Sequence, residues 1–185
     1  MFEIVKKEAL NPTVMRMDIK APLIAKKARA GQFIILRADD RGERIPLTVA
    51  GCDREAGPVP SIFLIVGGAT MTLATLPQGG CVADFVGPLG TPTHIDGLKK
   101  VAVVGGGVGC AIALPVARAL HEQGCEVTSI VGFRNRDLVI LEEEFKAVSN
   151  RFFMMTDDGS YGEKGNVCVP LNRLLENGET FDEVI

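Results

Sequence analysis

The chain contains no tryptophan and only two histidines, His94 and His121. Histidine is the side chain most often used as a general acid or base, so catalysis by such a group has few candidates here. No apolar run approaches the roughly 20 residues that span a bilayer, and the formal net charge of -3 gives no basis for binding nucleic acid or an anionic membrane. The composition therefore predicts a cytoplasmic protein with no membrane span and no nucleic-acid partner.

Cysteines are few and do not form a metal-binding pattern. The five are Cys52, Cys81, Cys110, Cys125 and Cys168. They are widely spaced and odd in number, with no Cys-x-x-Cys pair and no histidine–cysteine cluster. Zinc and iron–sulfur sites need such ligands at short spacing, so we expect no metal site within the chain. Free thiols in a reducing compartment are the expected state.

Residues 1–98 consist of short apolar runs separated by glycine and proline. The predicted strands are Val14–Ile19, Phe33–Leu36, Ile62–Val66 and Val82–Val86, with Gly57, Pro58 and Pro60 among the turn residues. Many short strands with turn signals between them are typical of an antiparallel barrel or sandwich.

From Lys99 onward, predicted strands alternate with predicted helices. The strands are Val101–Val104, Val127–Val131, Arg151–Met155 and Asp182–Ile185, and the helices are Ala111–Gln123, Leu138–Val148 and Pro170–Glu176. This alternation predicts an α/β domain with a doubly wound parallel sheet. The sequence stops inside the last predicted strand, which normally continues into a loop and a covering helix, so we expect the natural chain to extend beyond Ile185.

A glycine-rich turn follows the first of these strands, at Gly105-Gly106-Gly107-Val108-Gly109. Glycines permit a tight bend and the close approach of a pyrophosphate, and the N-terminus of the next helix offers free N–H groups. In the strict G-x-G-x-x-G spacing a third glycine would stand at Cys110, so the motif also fits a purely structural turn. Dinucleotide binding is the favoured interpretation.

Two later segments also follow predicted strands of this half. Arg134 and Arg136 occur where an arginine often binds the extra ribose phosphate of a cofactor, although a solvated surface pair fits slightly better. Residues 156–165 contain three glycines and the acids Asp157 and Asp158. They would form either a loop in the ligand crevice or an ordinary turn-rich connection.

In the first half, Arg44-Ile45-Pro46-Leu47-Thr48 combines a cation with a hydroxyl, and a predicted glycine- and threonine-rich turn follows at Gly67-Gly68-Ala69-Thr70-Met71-Thr72-Leu73. Such groups suit a diphosphate and a ring. Surface arginines and strand threonines are common, however, so these residues alone do not establish a cofactor site.

Six motifs, taken in order, resemble the ferredoxin–NADP reductase superfamily over the whole chain. They are Ala21-Pro22 with Ala30-Gly31-Gln32-Phe33, Arg44 to Thr48, Gly87-Pro88-Leu89-Gly90, Gly105 to Gly109, Gly132-Phe133-Arg134, and Asp157-Asp158-Gly159-Ser160-Tyr161-Gly162. More narrowly, the chain is similar to the electron-transfer subunit of dihydroorotate dehydrogenase. It is equally similar to the small (alpha) subunit of NADH-dependent ferredoxin–NADP oxidoreductase, also known as sulfide dehydrogenase beta subunit. This resemblance implies an FAD-binding, Greek-key-like antiparallel β-barrel at residues 1–98 and an NAD(P)-binding domain at residues 99–185.

The resemblance also implies residue roles. Arg44 would bind the FAD pyrophosphate, and Thr48, the one candidate catalytic residue, would hydrogen-bond near flavin N5. Leu47 replaces the aromatic residue that many relatives stack on the flavin ring. The remaining FAD candidates are Pro46, Ile65, Gly67, Thr70, Met71 and Thr72. The NAD(P) candidates are Gly105, Gly106, Gly107, Val108, Gly109, Arg134 and Asp157.

By the same resemblance, the nicotinamide of NAD(P)H would lie against the flavin, a hydride would pass to N5, and electrons would leave singly to an iron–sulfur centre. The cofactors would carry the chemistry, which agrees with the shortage of histidine. A [2Fe–2S] cluster is expected only in a cysteine-rich C-terminal segment that this sequence lacks. The expected partner is a larger subunit, glutamate-synthase-like or dihydroorotate-dehydrogenase-like, and ferredoxin is a further candidate.

Two other functions stay open at this point. One is a flavin reductase or the reductase component of an oxygenase. The other is a non-catalytic nucleotide-binding module that has no electron path.

Overall fold

The computed structural model describes residues 1–51, 55 and 57–185, so the predicted free thiol Cys52 lies outside the described residues. The chain divides into two compact units, Met1–Thr93 and His94–Ile185. The cofactor that each unit binds remains a prediction.

Unit 1 is built from antiparallel strands. They are β1 (Phe2–Asn11), β2 (Val14–Lys20), β3 (Phe33–Arg37), β4 (Arg44–Thr48), β5 (Pro58–Leu64), β6 (Cys81–Val82) and β7 (Asp84–Leu89). Helix α1 (Pro22–Ala25) follows β2, and helix α2 (Gly68–Thr75) follows β5. One sheet has the order β5-β2-β1-β6 and the other has the order β4-β3-β7.

Two corners join these sheets into a barrel. An antiparallel bridge pairs Val49, just after β4, with Ser61 in β5. At the other corner β6 passes into β7 through Ala83, whose N–H donates to the carbonyl of Arg37 at 3.0 Å. The predicted strand Val82–Val86 is therefore two strands, because the chain changes sheets at that residue. The antiparallel barrel predicted for this half is confirmed.

Alternation along each strand fills the barrel with apolar side chains. In β3, Ile34 and Leu36 are fully buried, whereas the intervening Ile35 and the following Arg37 are only partly buried. The other large, fully buried side chains of this core are Ile4, Met17, Ile19, Val59, Leu73 and Val82.

Strand β5 and helix α2 differ from the sequence prediction. The predicted strand Ile62–Val66 instead begins at Pro58 and ends at Leu64, because β5 is the outer strand of its sheet and tolerates proline there. The predicted turn after Gly67 is a helix. Leu73, which is fully buried, anchors this helix to the barrel core.

Unit 2 alternates strands with helices. They are β8 (Lys100–Gly106), α3 (Cys110–Glu122), β9 (Glu126–Phe133), α4 (Glu142–Ala147), β10 (Arg151–Thr156), β11 (Glu163–Lys164), α5 (Cys168–Glu176) and β12 (Glu183–Val184). The sheet has the order β11-β10-β9-β8-β12, and every pair in it is parallel. The doubly wound prediction is confirmed.

The predicted helix Leu138–Val148 is shorter in the structure. Residues Arg136–Leu138 form a separate 3-10 turn, and α4 begins only at Glu142. Leu141, just before the helix, has φ of 61°, which a helix cannot include. Three glutamates occupy the first turn of α4, where the positive end of the helix dipole favours them.

Candidate functional site

The outer face of the β4-β3-β7 sheet carries part of the predicted FAD motif. Residues directly opposite in neighbouring strands point to the same face, and Arg37 is opposite both Arg44 and Asp84. By alternation Pro46 and Thr48 share the face of Arg44. The hydroxyl of Thr48 has no hydrogen-bond partner among the residues that the structure describes.

Leu47 does not share the outer face with Arg44, Pro46 and Thr48. It lies opposite Ile34 on the inner face and packs against the barrel core. Ile45, which precedes Pro46 in sequence, also packs against the barrel core. The structure therefore brings Arg44, Pro46 and Thr48 together and turns Leu47 away from them.

Arg44 is exposed but anchored at one end. Its Nη2 donates to Asp84 Oδ2 at 2.8 Å, and 62% of the side chain is exposed. Arg37 Nε lies 2.9 Å from the same oxygen, as an ion pair in which the N–H is not aligned for a hydrogen bond. The three side chains carry a net positive charge, and the guanidinium of Arg44 keeps other N–H groups for an anion.

The N-terminus of α2 is a second candidate for anion binding in unit 1. The first intrahelical bond runs from the N–H of Met71 to the carbonyl of Gly67 at 2.8 Å, so the N–H groups of Gly68, Ala69 and Thr70 precede the helical ladder. No acidic residue occupies the first turn. The positive end of this helix is thus available to a phosphate.

Thr70 holds the start of this helix in place. Its hydroxyl accepts the N–H groups of Val66 and Gly67, each at 3.0 Å, and donates to the carbonyl of Gly67. At the other end of α2, the ammonium group of Lys7 donates to the carbonyls of Ala74 and Leu76 at 2.6 and 2.9 Å. Both ends of the helix are therefore fixed by side chains, and the Thr70 hydroxyl is already engaged.

Gly67 and Gly68 are not required by the fold of unit 1. A Cβ added to either would meet nothing within 4 Å. Gly67 has φ of −153°, which any residue adopts. Neither packing nor backbone strain therefore requires glycine at these two positions, and they leave open space beside the helix N-terminus.

A cavity of about 270 Å³ lies beside this end of α2. Gly68, Ala69 and Thr72 line one side, and Glu43 and Ile45, the two neighbours of Arg44 in sequence, line another. The rest of the lining is Leu36, Ala38, Arg41 and Gly42. The volume is slightly below the range of pockets for a whole drug-sized ligand.

The remaining FAD candidates lie around this helix. The N–H of Ile65 donates to the carbonyl of Thr13 at 2.8 Å, and its side chain packs against the core. Met71 is 56% exposed, and Val66, directly before the glycine pair, is 69% exposed.

In unit 2 the glycine-rich turn lies at the carboxyl end of β8. This strand stands between β9 and β12, the point at which the strand order reverses. Ligands of open α/β sheets bind at such switch points, beyond the carboxyl ends of the strands. The first turn of α3 contains no acidic residue, so the helix presents its positive end to this crevice.

The glycines of this turn are subject to different physical constraints. A Cβ on Gly105 would come within 3.0 Å of Cys110 Sγ and 3.3 Å of Ala113 Cβ, so this glycine allows strand β8 to pack against α3. Gly107 has φ of 53° and makes the bend. Gly106 and Gly109 have φ of −125° and −59°, and a Cβ on either would meet nothing within 4 Å. Neither packing nor backbone conformation requires glycine at those two positions.

Val108 is half-buried between these glycines. Cys110, which follows them, is fully buried, and this burial raises the pKa of its thiol to about 12. The thiol is therefore protonated and inert at neutral pH despite its place at a helix N-terminus.

Arg134 and Asp157 follow neighbouring strands at the same edge of the sheet. The N–H of Asp157 donates to the carbonyl of Phe133 at 3.0 Å, and both side chains are exposed. Within the described part of the chain, the Arg134 guanidinium has no ion pair. Arg136 is more constrained. Its guanidinium lies 5.6 Å from the centre of the Tyr161 ring, and its backbone N–H donates to Ser160 Oγ at 2.9 Å.

Tyr161, which the sequence analysis quoted only as part of a motif, ties the 156–165 loop to α4. Its hydroxyl donates to Glu142 Oε1 at 3.0 Å, and this bond raises the pKa of Tyr161. A Cβ on Gly162 would come within 2.2 Å of the carbonyl oxygen of Met154, so the loop needs this glycine to pass over β10. The loop is an ordered part of the sheet's carboxyl edge.

The described residues contain neither a metal-binding cluster nor a membrane-spanning helix. No group of three histidine, cysteine, aspartate or glutamate side chains in the described residues is arranged to hold a metal ion. None of the described helices combines the length and the apolar character needed to cross a bilayer.

Comparison with known proteins gives the family. The chain is 42% identical over 173 residues to a Thermotoga maritima protein named as a homologue of the electron transfer subunit of dihydroorotate dehydrogenase B (NAD(+)), covering 94% of this chain and 61% of that relative. It is 37% identical over 178 residues to the electron transfer subunit of dihydroorotate dehydrogenase B (NAD(+)) from Streptococcus pneumoniae, covering 94% and 68%. No family model matches the chain.

A solved structure agrees with these relatives. A chain from the structure of NADH-dependent reduced ferredoxin–NADP oxidoreductase, a study of flavin-based electron bifurcation, superposes with a TM-score of 0.88 at 40% identity, covering 95% of this chain and 63% of that one. This chain thus spans a little under two thirds of that structure and of the Thermotoga relative. The resemblance predicted from six motifs is confirmed, and the chain belongs to the family of dihydroorotate dehydrogenase B electron-transfer subunits, with the ferredoxin reductase-like fold.

Proposed function

We propose that unit 1 binds FAD, that unit 2 binds NAD(P)H, and that the chain transfers reducing equivalents between these cofactors and an iron–sulfur partner. The observation that carries this proposal is common to both units. Each has glycines at the N-terminus of a helix, Gly67 and Gly68 in unit 1 and Gly106 and Gly109 in unit 2. A Cβ on any of these four would meet nothing within 4 Å, so packing within the chain does not require glycine there.

The donors of unit 1 suit the diphosphate of FAD. The N–H groups at the start of α2 and the exposed guanidinium of Arg44 are hydrogen-bond donors that favour phosphate oxygens. The cavity beside the start of α2 is lined by Gly68, Ala69 and Thr72 and by Glu43 and Ile45, while Arg44 itself is not part of the lining. Thr48, on the same strand face as Arg44, would offer its hydroxyl to the flavin ring.

The turn of unit 2 suits the pyrophosphate of NAD(P)H. Gly106 and Gly109 leave room for it, and α3 supplies N–H groups and a favourable dipole. Arg134, exposed at the end of β9, would lie toward the adenosine half, and Asp157 toward the nicotinamide half.

When bound, the flavin supplies the redox chemistry by accepting a hydride from the nicotinamide and releasing electrons one at a time. The residues of the chain bind and orient, and none needs to act as a general base. We propose a larger catalytic subunit as partner, because the relatives are named as electron-transfer subunits.

Flavin affinity tests the unit 1 assignment. Gly68→Val would fill the open space at the start of α2, and losing one charge-assisted hydrogen bond predicts an FAD Kd about tenfold or more higher in a fluorescence titration. Thr75→Val, an exposed site at the other end of the same helix, is the matched control and should bind FAD like the unaltered protein. Equal FAD affinity of the Gly68→Val variant and the unaltered protein would refute the assignment.

A further inference from the structure

Asp84 connects two arginines on the outer face of the β4-β3-β7 sheet. It is not part of any of the six family motifs, and it stands 40 residues after Arg44 in sequence. The register brings them together, because Arg37 of β3 lies opposite Arg44 on one side and Asp84 on the other.

Arg37, Asp84 and Arg44 form a row of charged side chains that is held firmly at Arg37 and exposed at Arg44. Arg37 is only 21% exposed and has three contacts: its Nη1 donates to the carbonyl of Asp40 at 2.9 Å, its Nη2 lies 3.8 Å from Asp40 Oδ1, and its Nε forms the ion pair with Asp84. Asp84 is 32% exposed and Arg44 is 62% exposed. Mobility should therefore increase from Arg37 through Asp84 to Arg44.

Arg44 contacts Asp84 through a single nitrogen, Nη2. A bidentate pair would occupy one whole edge of the guanidinium, whereas in this end-on contact Nε and Nη1 have no partner among the residues that the structure describes. Asp84 thus restricts where the guanidinium lies without occupying all of its donors.

From this geometry we infer that Asp84 is a positioning residue, which holds the Arg44 guanidinium ready for the cofactor phosphate while Arg37 fixes Asp84. The inference rests on the proposed FAD site. It predicts that Asp84 affects FAD affinity through Arg44 and through no other group.

A double-mutant cycle tests this, with FAD Kd measured by fluorescence titration. Asp84→Ala should raise Kd by about 2- to 13-fold, the factor expected for ordering one long side chain. In the Arg44→Ala background the same substitution should change Kd by less than about 1.5-fold, because the group it acts through is gone. Asp84→Glu should recover part of the lost affinity.

Controls separate positioning from a structural role. Glu8→Ala removes an exposed ion pair with Lys6 on β1 of the same unit and should leave FAD Kd unchanged. Apo-protein unfolding midpoints of all variants show whether a loss of affinity follows a loss of stability.

Three other results would contradict the positioning role of Asp84. Additive effects of Asp84→Ala and Arg44→Ala would overturn the positioning role, and so would tighter binding by Asp84→Ala, which would show that the carboxylate competes with phosphate. If Arg44→Ala alone leaves Kd unchanged, the proposed FAD site itself fails along with the inference.

Discussion

Gly105 and Gly106 are neighbours in sequence, yet the structure predicts opposite results when each is replaced by alanine. The Cβ of Gly105→Ala would meet Cys110 Sγ at 3.0 Å and Cys110 Cα at 3.2 Å. The Cβ of Gly106→Ala would point into open space, from a backbone conformation that alanine adopts freely. Gly105 is required for packing, whereas the proposed function assigns Gly106 to the nucleotide site.

The expected magnitudes follow from these contacts. Overpacking between β8 and α3 should cost Gly105→Ala about 1–3 kcal/mol of unfolding free energy. For a domain of this size, each kcal/mol lowers the melting temperature by about 4–8 °C. Gly106→Ala should change stability by less than about 1 kcal/mol, because alanine also restricts the unfolded chain. Its methyl group should weaken NADH or NADPH binding by about 10- to 150-fold, the loss of one charge-assisted hydrogen bond.

Thermal unfolding and nucleotide titration calorimetry on the two variants measure both effects. We expect Gly105→Ala to lose stability without a matching loss for Gly106→Ala, and we expect Gly106→Ala to bind nucleotide more weakly while fully folded. If Gly106→Ala binds both nucleotides with the original affinity, the turn is a structural bend and the dinucleotide assignment is refuted.

Two further predictions concern titrating groups. Arg151 and Lys100 hold the pKa of Glu179 at about 2, below its ordinary value of 4.5, so the carboxylate stabilises unit 2 above pH 4.5 and loses this contribution as the pH falls toward 2. The unfolding midpoint of Glu179→Gln should therefore lie below that of the unaltered protein near neutral pH, with the gap closing in that acidic window; a gap independent of pH would contradict this. Exposed Cys81 and Cys168 should react with a thiol reagent in the native state, whereas buried Cys110 and Cys125 should react only after unfolding, as peptide mass spectrometry would show. Rapid native labelling of Cys110 would refute its burial and its raised pKa.

The parallel sheet of unit 2 could be predicted closely from the sequence. Val101–Val104 is a continuous apolar run because β8 is covered on both faces, and Gly124 marks the end of α3 with φ of 84°. Such signals are local, so they can be read without knowing which strands pair.

The fold of unit 1 was harder to predict from the sequence, because the interactions that determine it join residues that are far apart in the chain. Pro58 and Pro60 indicate a turn until the pairing shows that β5 is an outer strand. The first strand, Phe2–Asn11, carries charged residues on much of its length and gives no clear apolar pattern. Helix α2 depends on the Thr70 cap and on burial of Leu73 in the barrel, which outweigh the low helix propensity of glycine and threonine.

The same contrast applies to the candidate site. The motifs locate Arg44 and the glycine-rich turns, but they do not distinguish Gly105, which packs against α3, from Gly106, which faces open space. They also do not show Asp84, because a pairing across three strands leaves no trace in the spacing of residues.

The most direct test of the account is an anaerobic titration of the FAD-loaded protein with NADH and with NADPH, followed by the visible flavin bands. About one equivalent of at least one nucleotide should bleach the flavin, since a hydride carries two electrons. A protein that binds the nucleotide while its flavin stays oxidised, or that never retains flavin, would contradict the proposed electron transfer.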